Sequence, residues 1–93
     1  MVMKIFSIYD VKAELYNQPF FMPARGQALR EFADLVNDSQ SRISKHPADY
    51  KLVCIGSFDD VTGEIVSAEH ESLGRGDEFV NGDSGKVVSL GKS

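Results

Sequence analysis

The residues of this sequence best suited to chemistry are basic side chains interleaved with aromatic rings in the N-terminal half. The bases of a single-stranded nucleic acid can stack on aromatic rings while Lys and Arg side chains contact its phosphates. Tyr9, Phe20 and Phe21 lie among the basic residues and could supply such rings. The residues that we predict for this surface are Lys12, Tyr16, Arg25, Arg30, Arg42, Lys45 and His46.

The same pattern also fits an ordinary solvated surface whose aromatic rings lie in the core, because acidic residues alternate with the basic ones. The chain carries a net charge of −4, divided into +1 for residues 1–51 and −5 for residues 52–93. Phosphate binding depends on Lys and Arg side chains that release counterions. The acidic total therefore argues against a protein that coats polyanions indiscriminately, and it leaves room for a local basic patch.

Residue combinations for catalysis or metal binding do not occur at the required spacing. His46 and His70 are 24 residues apart, with no further histidine or cysteine at ligand spacing. The acidic turn of Asp59 and Asp60 lacks the alternation of a calcium-binding loop. Cys54 lies in an apolar stretch with no paired base. We therefore expect no enzyme, no metal site and no cofactor.

Hydrophobic periodicity predicts the elements that position these side chains. An apolar stripe at three- and four-residue steps, with Phe32 at its centre, predicts a helix over residues 24–37. Runs rich in β-branched and aromatic residues predict strands, and His46–Asp49 could form one helical turn beginning at a proline. The predicted strands are residues 3–9, 18–22, 51–58 and 64–67. The fold class is therefore α+β, a β-β-α-β-β domain with one helix packed on an antiparallel or mixed sheet.

The strands at 3–9 and 51–58 carry apolar side chains on both faces, which one helix cannot cover. We expect residues 70–80 to cover part of the second face through Leu73 and Phe79, and a second subunit to cover the rest. A homo-oligomer follows from this argument. Residues 69–93 are Gly-rich and acidic, so we expect a single domain over 1–80 and a flexible tail over 81–93.

Length and composition are those of one small globular domain, since 93 residues with 42% hydrophobic content bury a single modest core. Cys54 is the only cysteine, as expected of a reduced thiol inside a cell. There is no secretory signal pattern and no apolar stretch of 18 residues, so we expect no membrane association.

Several short stretches together resemble the small nonstructural protein of gokushoviruses, which are single-stranded DNA phages of the Microviridae. The stretches are MKIFSIYD (3–10), QPFF (18–21), RGQA (25–28), SKHP (44–47), GSFDD (56–60), LG (73–74) and EF (78–79). The resemblance extends over nearly the whole chain.

The resemblance implies a phage protein that acts in the host cytoplasm and does not enter the virion. It further implies a role in the switch to single-stranded genome synthesis or in genome packaging. No catalytic residues are assigned in that family. Our leading hypothesis is therefore a non-enzymatic accessory protein that binds single-stranded DNA or phage or host replication proteins. The alternative is a protein-only adaptor or regulator of a host or phage protein, without nucleic acid contact.

Overall fold

The computed structural model describes residues 1–80, in which one main helix packs on a five-stranded antiparallel sheet. The strands are β1 (Val2–Asp10), β2 (Leu15–Tyr16), β3 (Phe20–Met22), β4 (Tyr50–Asp59) and β5 (Ile65–Arg75). The helices are α1 (Arg25–Asn37) and α2 (Arg42–Lys45), with 3₁₀ turns at Pro47–Asp49 and Gly76–Phe79. The predicted α+β class is confirmed. The tail expected at residues 81–93 lies outside the described residues.

Strand β1 is central to the sheet, because β2 and β3 pair with one of its edges and β4 with the other. Strand β5 pairs with β4 and forms the outer edge. Successive side chains of a strand point to opposite faces, so Phe6 and Ile8 meet α1 while Ile5 and Ser7 face away from it. The apolar character of β1 on both faces thus fits its central position.

The helix-side core forms where the apolar stripe of α1 meets alternate residues of β1 and β4. The buried residues of α1 are Ala28, Phe32 and Val36, as the periodicity predicts. Phe6, Phe32 and Leu52 are fully buried, and burial of a side chain of this size stabilises the fold by about 1.5–3 kcal/mol. Helix α1 begins at Arg25, and Ala24 before it provides no side-chain cap.

Three features of the structure differ from the prediction. Strand β2 and helix α2 are two short elements that the sequence pattern does not reveal. The helical turn predicted at 46–49 is present as the 3₁₀ turn Pro47–Asp49. Strand β5 is longer than predicted and ends at Arg75, not at residue 67. Its second half contains polar residues such as Glu69 and Glu71, and its pairing with β4 is irregular. Backbone hydrogen bonds form the strand there without a hydrophobic pattern.

The expectation that Leu73 and Phe79 cover part of the second face of the sheet is wrong. The Phe79 ring packs edge-on against Phe32, with 5.6 Å between centroids, and Leu73 joins the same helix-side core. This position is favourable because the helix-side core offers a fully apolar contact for both side chains.

The second face is instead covered by aromatic side chains of its own strands. Phe21 of β3 contacts Phe58 of β4 across β1, with 5.6 Å between ring centroids. Tyr16 of β2 contacts His70 of β5, so this pair spans both inner strands. Ile5, Ser7 and Val53 are buried, and the Ser7 hydroxyl donates to the carbonyl of Asn17 at 2.7 Å.

Candidate functional site

The predicted basic residues lie mainly in the helical layer of the molecule. Arg25 and Arg30 belong to α1, Arg42 and Lys45 to α2, and His46 follows α2 directly. All five are exposed. Within residues 1–80, none of them makes a cation–π contact, and His46 takes part in no ring–ring contact. The structure thus does not bring them together with the predicted rings.

Arg25 is held by an acidic residue of the sheet edge. Its Nη2 and Nε donate to one Glu71 carboxylate oxygen at 2.8 and 3.1 Å. Both side chains are about half exposed, so the ion pair contributes little to stability. It nevertheless neutralises the cation locally, which makes Arg25 a weaker phosphate ligand than the sequence suggests.

Lys12 and Tyr16 are the two predicted residues outside the helical layer. Lys12 lies in the turn between β1 and β2, where the Val11 amide donates to the Asp49 carbonyl at 2.9 Å. Tyr16 pairs with Tyr9 of β1, with 4.6 Å between ring centroids. Tyr16 therefore belongs to the sheet face that points away from α1.

The second face of the sheet, which points away from α1, is called the open face from here on. We define it by four rings and two cations. The rings are Tyr9, Tyr16, Phe21 and Phe58, and the cations are Lys51 and Arg75. Residues paired directly across antiparallel strands lie on the same face. Tyr16, Tyr9, Lys51 and Arg75 are paired in succession and form one row across the sheet. Tyr16 is 46% exposed and Phe21 43%, so solvent reaches both rings.

A groove lies at the cationic end of this row. It has a volume of about 590 Å³, and its lining includes Lys51, Ser72, Arg75 and Glu78. Val11 and Ala48 contribute apolar atoms to its wall. The ammonium nitrogen of Lys51 also lies 5.5 Å from the centroid of the Tyr9 ring, within cation–π distance. The groove therefore combines two cations, one carboxylate, a hydroxyl and a neighbouring aromatic ring.

Arg75 is oriented by the acidic residues that follow it. Its Nε and Nη2 donate to the two Asp77 carboxylate oxygens at 2.6 and 2.9 Å, and its backbone amide donates to Glu78 at 2.8 Å. The hydrogen bond from Arg75 holds the pKa of the Asp77 carboxyl below its usual value. The same contact raises the pKa of Arg75, so its guanidinium stays charged.

A second, smaller pocket of about 220 Å³ opens between β3 and α1. Ile8, Phe20, Met22 and Leu35 line it, with Glu31 at its side. Among residues 1–80, no three histidine, cysteine or acidic side chains converge as a metal site would require. In the same part of the chain, no helix is both long and apolar enough to cross a bilayer.

Sequence reasoning missed Lys51, Phe58 and Arg75 as members of the open face, and it missed His70, which contacts Tyr16 there. Lys51 offered one usable signal, because it is the only cation in an otherwise apolar strand and shares a face with Val53. His70 and Arg75 gave no such signal, since they lie in the part of β5 that the sequence pattern does not identify as a strand.

Comparison with known proteins assigns the chain to a family. No curated protein and no solved structure matches the chain significantly. The family described as "Phage ORF5 protein" matches residues 3–79, which include every strand and helix described above apart from Val2 at the start of β1. The expectation of a phage protein is thereby confirmed, and the chain belongs to the Phage ORF5 protein family.

Proposed function

We propose that this phage accessory protein binds single-stranded DNA on the open face of its sheet. It acts without catalysis, in single-stranded genome synthesis or in packaging. The proposal includes the narrower gokushovirus resemblance, with action in the host cytoplasm and absence from the virion.

The observation that carries the proposal is the grouping of aromatic rings on one face of an antiparallel sheet. Tyr16 and Phe21 are accessible there, and Lys51 and Arg75 lie on the same face. Base–aromatic stacking contributes about 1–3 kcal/mol per base and tolerates any base sequence. Common RNA-binding modules also stack bases on aromatic side chains of a four-stranded sheet.

The charge of the protein sets the conditions under which binding occurs. With a net charge of −4, the whole molecule repels a polyanion, and only local cations attract it. Release of counterions from the phosphates makes such binding weaken as salt rises. We therefore expect modest affinity, little sequence preference and a clear salt dependence.

Fluorescence anisotropy with labelled oligodeoxythymidine tests the proposal. Binding should be measurable at low salt and weaken as salt is raised. A duplex of matched length should bind more weakly, because its paired bases cannot stack on the rings. Absence of binding to the single strand at low salt would overturn the proposal.

A second candidate function, a protein-only adaptor, is favoured by the outer edge of β5. No strand pairs with this edge within residues 1–80, and Ile65 and Val66 beside it are exposed. A partner can add a strand to such an edge through main-chain hydrogen bonds. Co-purification from infected cells with and without nuclease separates the candidates, because a protein partner of an adaptor is retained after nuclease treatment.

A further inference from the structure

We propose that the groove between Lys51 and Arg75 holds a backbone phosphate of the bound strand, while the neighbouring base stacks on Tyr16. The inference rests on the proposed function and deepens it. It moves the phosphate contacts from the helical layer, where the sequence suggests them, to the open face.

The row across the sheet gives this site its layout. Arg75 and Lys51 lie on neighbouring strands, followed by Tyr9 and then Tyr16. Neighbouring strands are about 4.8 Å apart, so the row extends about 14 Å from cation to outer ring. A nucleotide strand that crosses the row thus meets a charged end first and an aromatic end next.

Lys51 is the cation of the groove without an ion-pair partner among the described residues, whereas Arg75 is paired with Asp77, and Glu78, which also lines the groove, accepts from the Arg75 amide. Within residues 1–80, no carboxylate lies at ion-pair distance from the Lys51 ammonium group, which instead lies beside the Tyr9 ring. A cation on an aromatic ring retains its attraction for an anion on its other side. Lys51 is half-buried, so its side chain has less freedom to lose on binding than that of an exposed lysine.

Arg75 contributes hydrogen-bond donors in a fixed orientation more than it contributes charge. Asp77 occupies its Nε and Nη2, which fixes the plane of the guanidinium. An arginine has five N–H donors, so its Nη1 can still donate to a phosphate oxygen. The Ser72 hydroxyl in the same groove is a further donor.

Tyr16 is the stacking partner that the geometry favours. Its hydroxyl contacts Nδ1 of His70 at 3.1 Å, and its ring packs on Tyr9, so the ring is held from two sides. The Tyr16 residue as a whole remains 46% exposed. A ring fixed in this way can accept a base with little further ordering.

The helical layer lacks this combination. Arg25 is paired with Glu71, and none of the other predicted basic residues there makes a cation–π contact within the described part of the chain. These cations can attract a polyanion at long range, but they offer no surface for bases.

The test compares Lys51→Ala with Lys45→Ala, which removes the same charge from the helical layer. Anisotropy with oligodeoxythymidine should show about tenfold weaker binding for K51A and a log–log salt slope that is flatter by about one. The K45A variant should bind within about twofold of the parent protein. Lys51→Arg retains the charge and should restore most of the affinity.

Tyrosine fluorescence of the unmodified protein gives a second readout that does not depend on a variant folding. The chain has no Trp, and Tyr9 and Tyr16 lie in the proposed site whereas Tyr50 is buried on the helix side. Stacked bases should quench this fluorescence, and Tyr16→Leu should remove most of the quenching.

The outcomes separate the two proposals. Weaker binding by K45A with unchanged binding by K51A would place the phosphates in the helical layer, which overturns the groove but leaves DNA binding intact. Binding without quenching would equally overturn the stacking site. Failure of the parent protein to bind single-stranded DNA would overturn both.

Discussion

At the scale of the residue, Phe32 has the largest predicted effect on stability. Its side chain is fully buried, and it contacts Phe79 from the end of the described chain. Phe32→Ala should lower the free energy of unfolding by about 3–5 kcal/mol, because it leaves a cavity in the helix-side core. Urea denaturation measures this loss. Phe21→Ala is the control, since Phe21 is 43% exposed and its truncation should cost clearly less. An unchanged midpoint for F32A would contradict the orientation of α1.

A second prediction at this scale concerns Asp77. The Arg75 hydrogen bond lowers the pKa of its carboxyl, so the folded state binds this proton less readily than the unfolded chain. The stabilisation from this pair is present above the ordinary aspartate pKa of about 3.9 and disappears as pH falls through the lowered value. An NMR titration should find the Asp77 pKa below its usual value, and Arg75→Ala should return it to normal. A normal pKa in the parent protein would show that the pair does not form in solution.

At the scale of the element, the contact between β4 and β5 depends on Gly56. A Cβ atom added there would lie 2.5 Å from the Val66 carbonyl oxygen, which belongs to the paired backbone. Gly56→Ala should therefore destabilise the protein by about 1–3 kcal/mol, as overpacking does.

Gly26→Ala is the matched control, because nothing lies within 4 Å of its added Cβ atom in α1. This change should leave stability unchanged or raise it by up to about 1 kcal/mol. Thermal unfolding of the two variants checks both expectations. Equal stability of G56A and the parent protein would contradict the described pairing of β4 with β5.

The sequence predicts well those elements that must place apolar residues at regular positions in order to bury them in the core. Helix α1 and the inner strands are of this kind, since Phe32 and Leu52 must be buried. It fails for the second half of β5, because Glu69 and Glu71 at an edge are stabilised by backbone pairing and leave no periodic signal. The candidate site follows the same division. Tyr16 was predicted, whereas Arg75 reaches the open face only through the unpredicted part of β5.

At the scale of the whole molecule, self-association remains a prediction with a changed physical basis. The inner part of the second sheet face is buried within one chain, so it does not require a second subunit. The remaining reason to expect self-association is the outer edge of β5. An eleven-residue edge strand with exposed Ile65 and Val66 favours pairing with another chain. Symmetric dimers are the most common outcome of such pairing.

Light scattering at micromolar concentration measures this directly, and we expect a dimer or larger assembly. A stable monomer with the chain mass of 10.3 kDa would contradict it. In that case, charged residues such as Glu69 and Glu71 would be sufficient to protect the edge of β5.

The open face as a single-strand-binding surface is the central claim, and amide chemical-shift mapping tests it most directly. Isotope-labelled protein is titrated with oligodeoxythymidine at low salt, and the shifted resonances are assigned. We predict the largest shifts at Tyr9, Tyr16, Lys51, Ser72 and Arg75, with α1 nearly unchanged. Shifts confined to α1 and α2, or no shifts at all, would contradict the account.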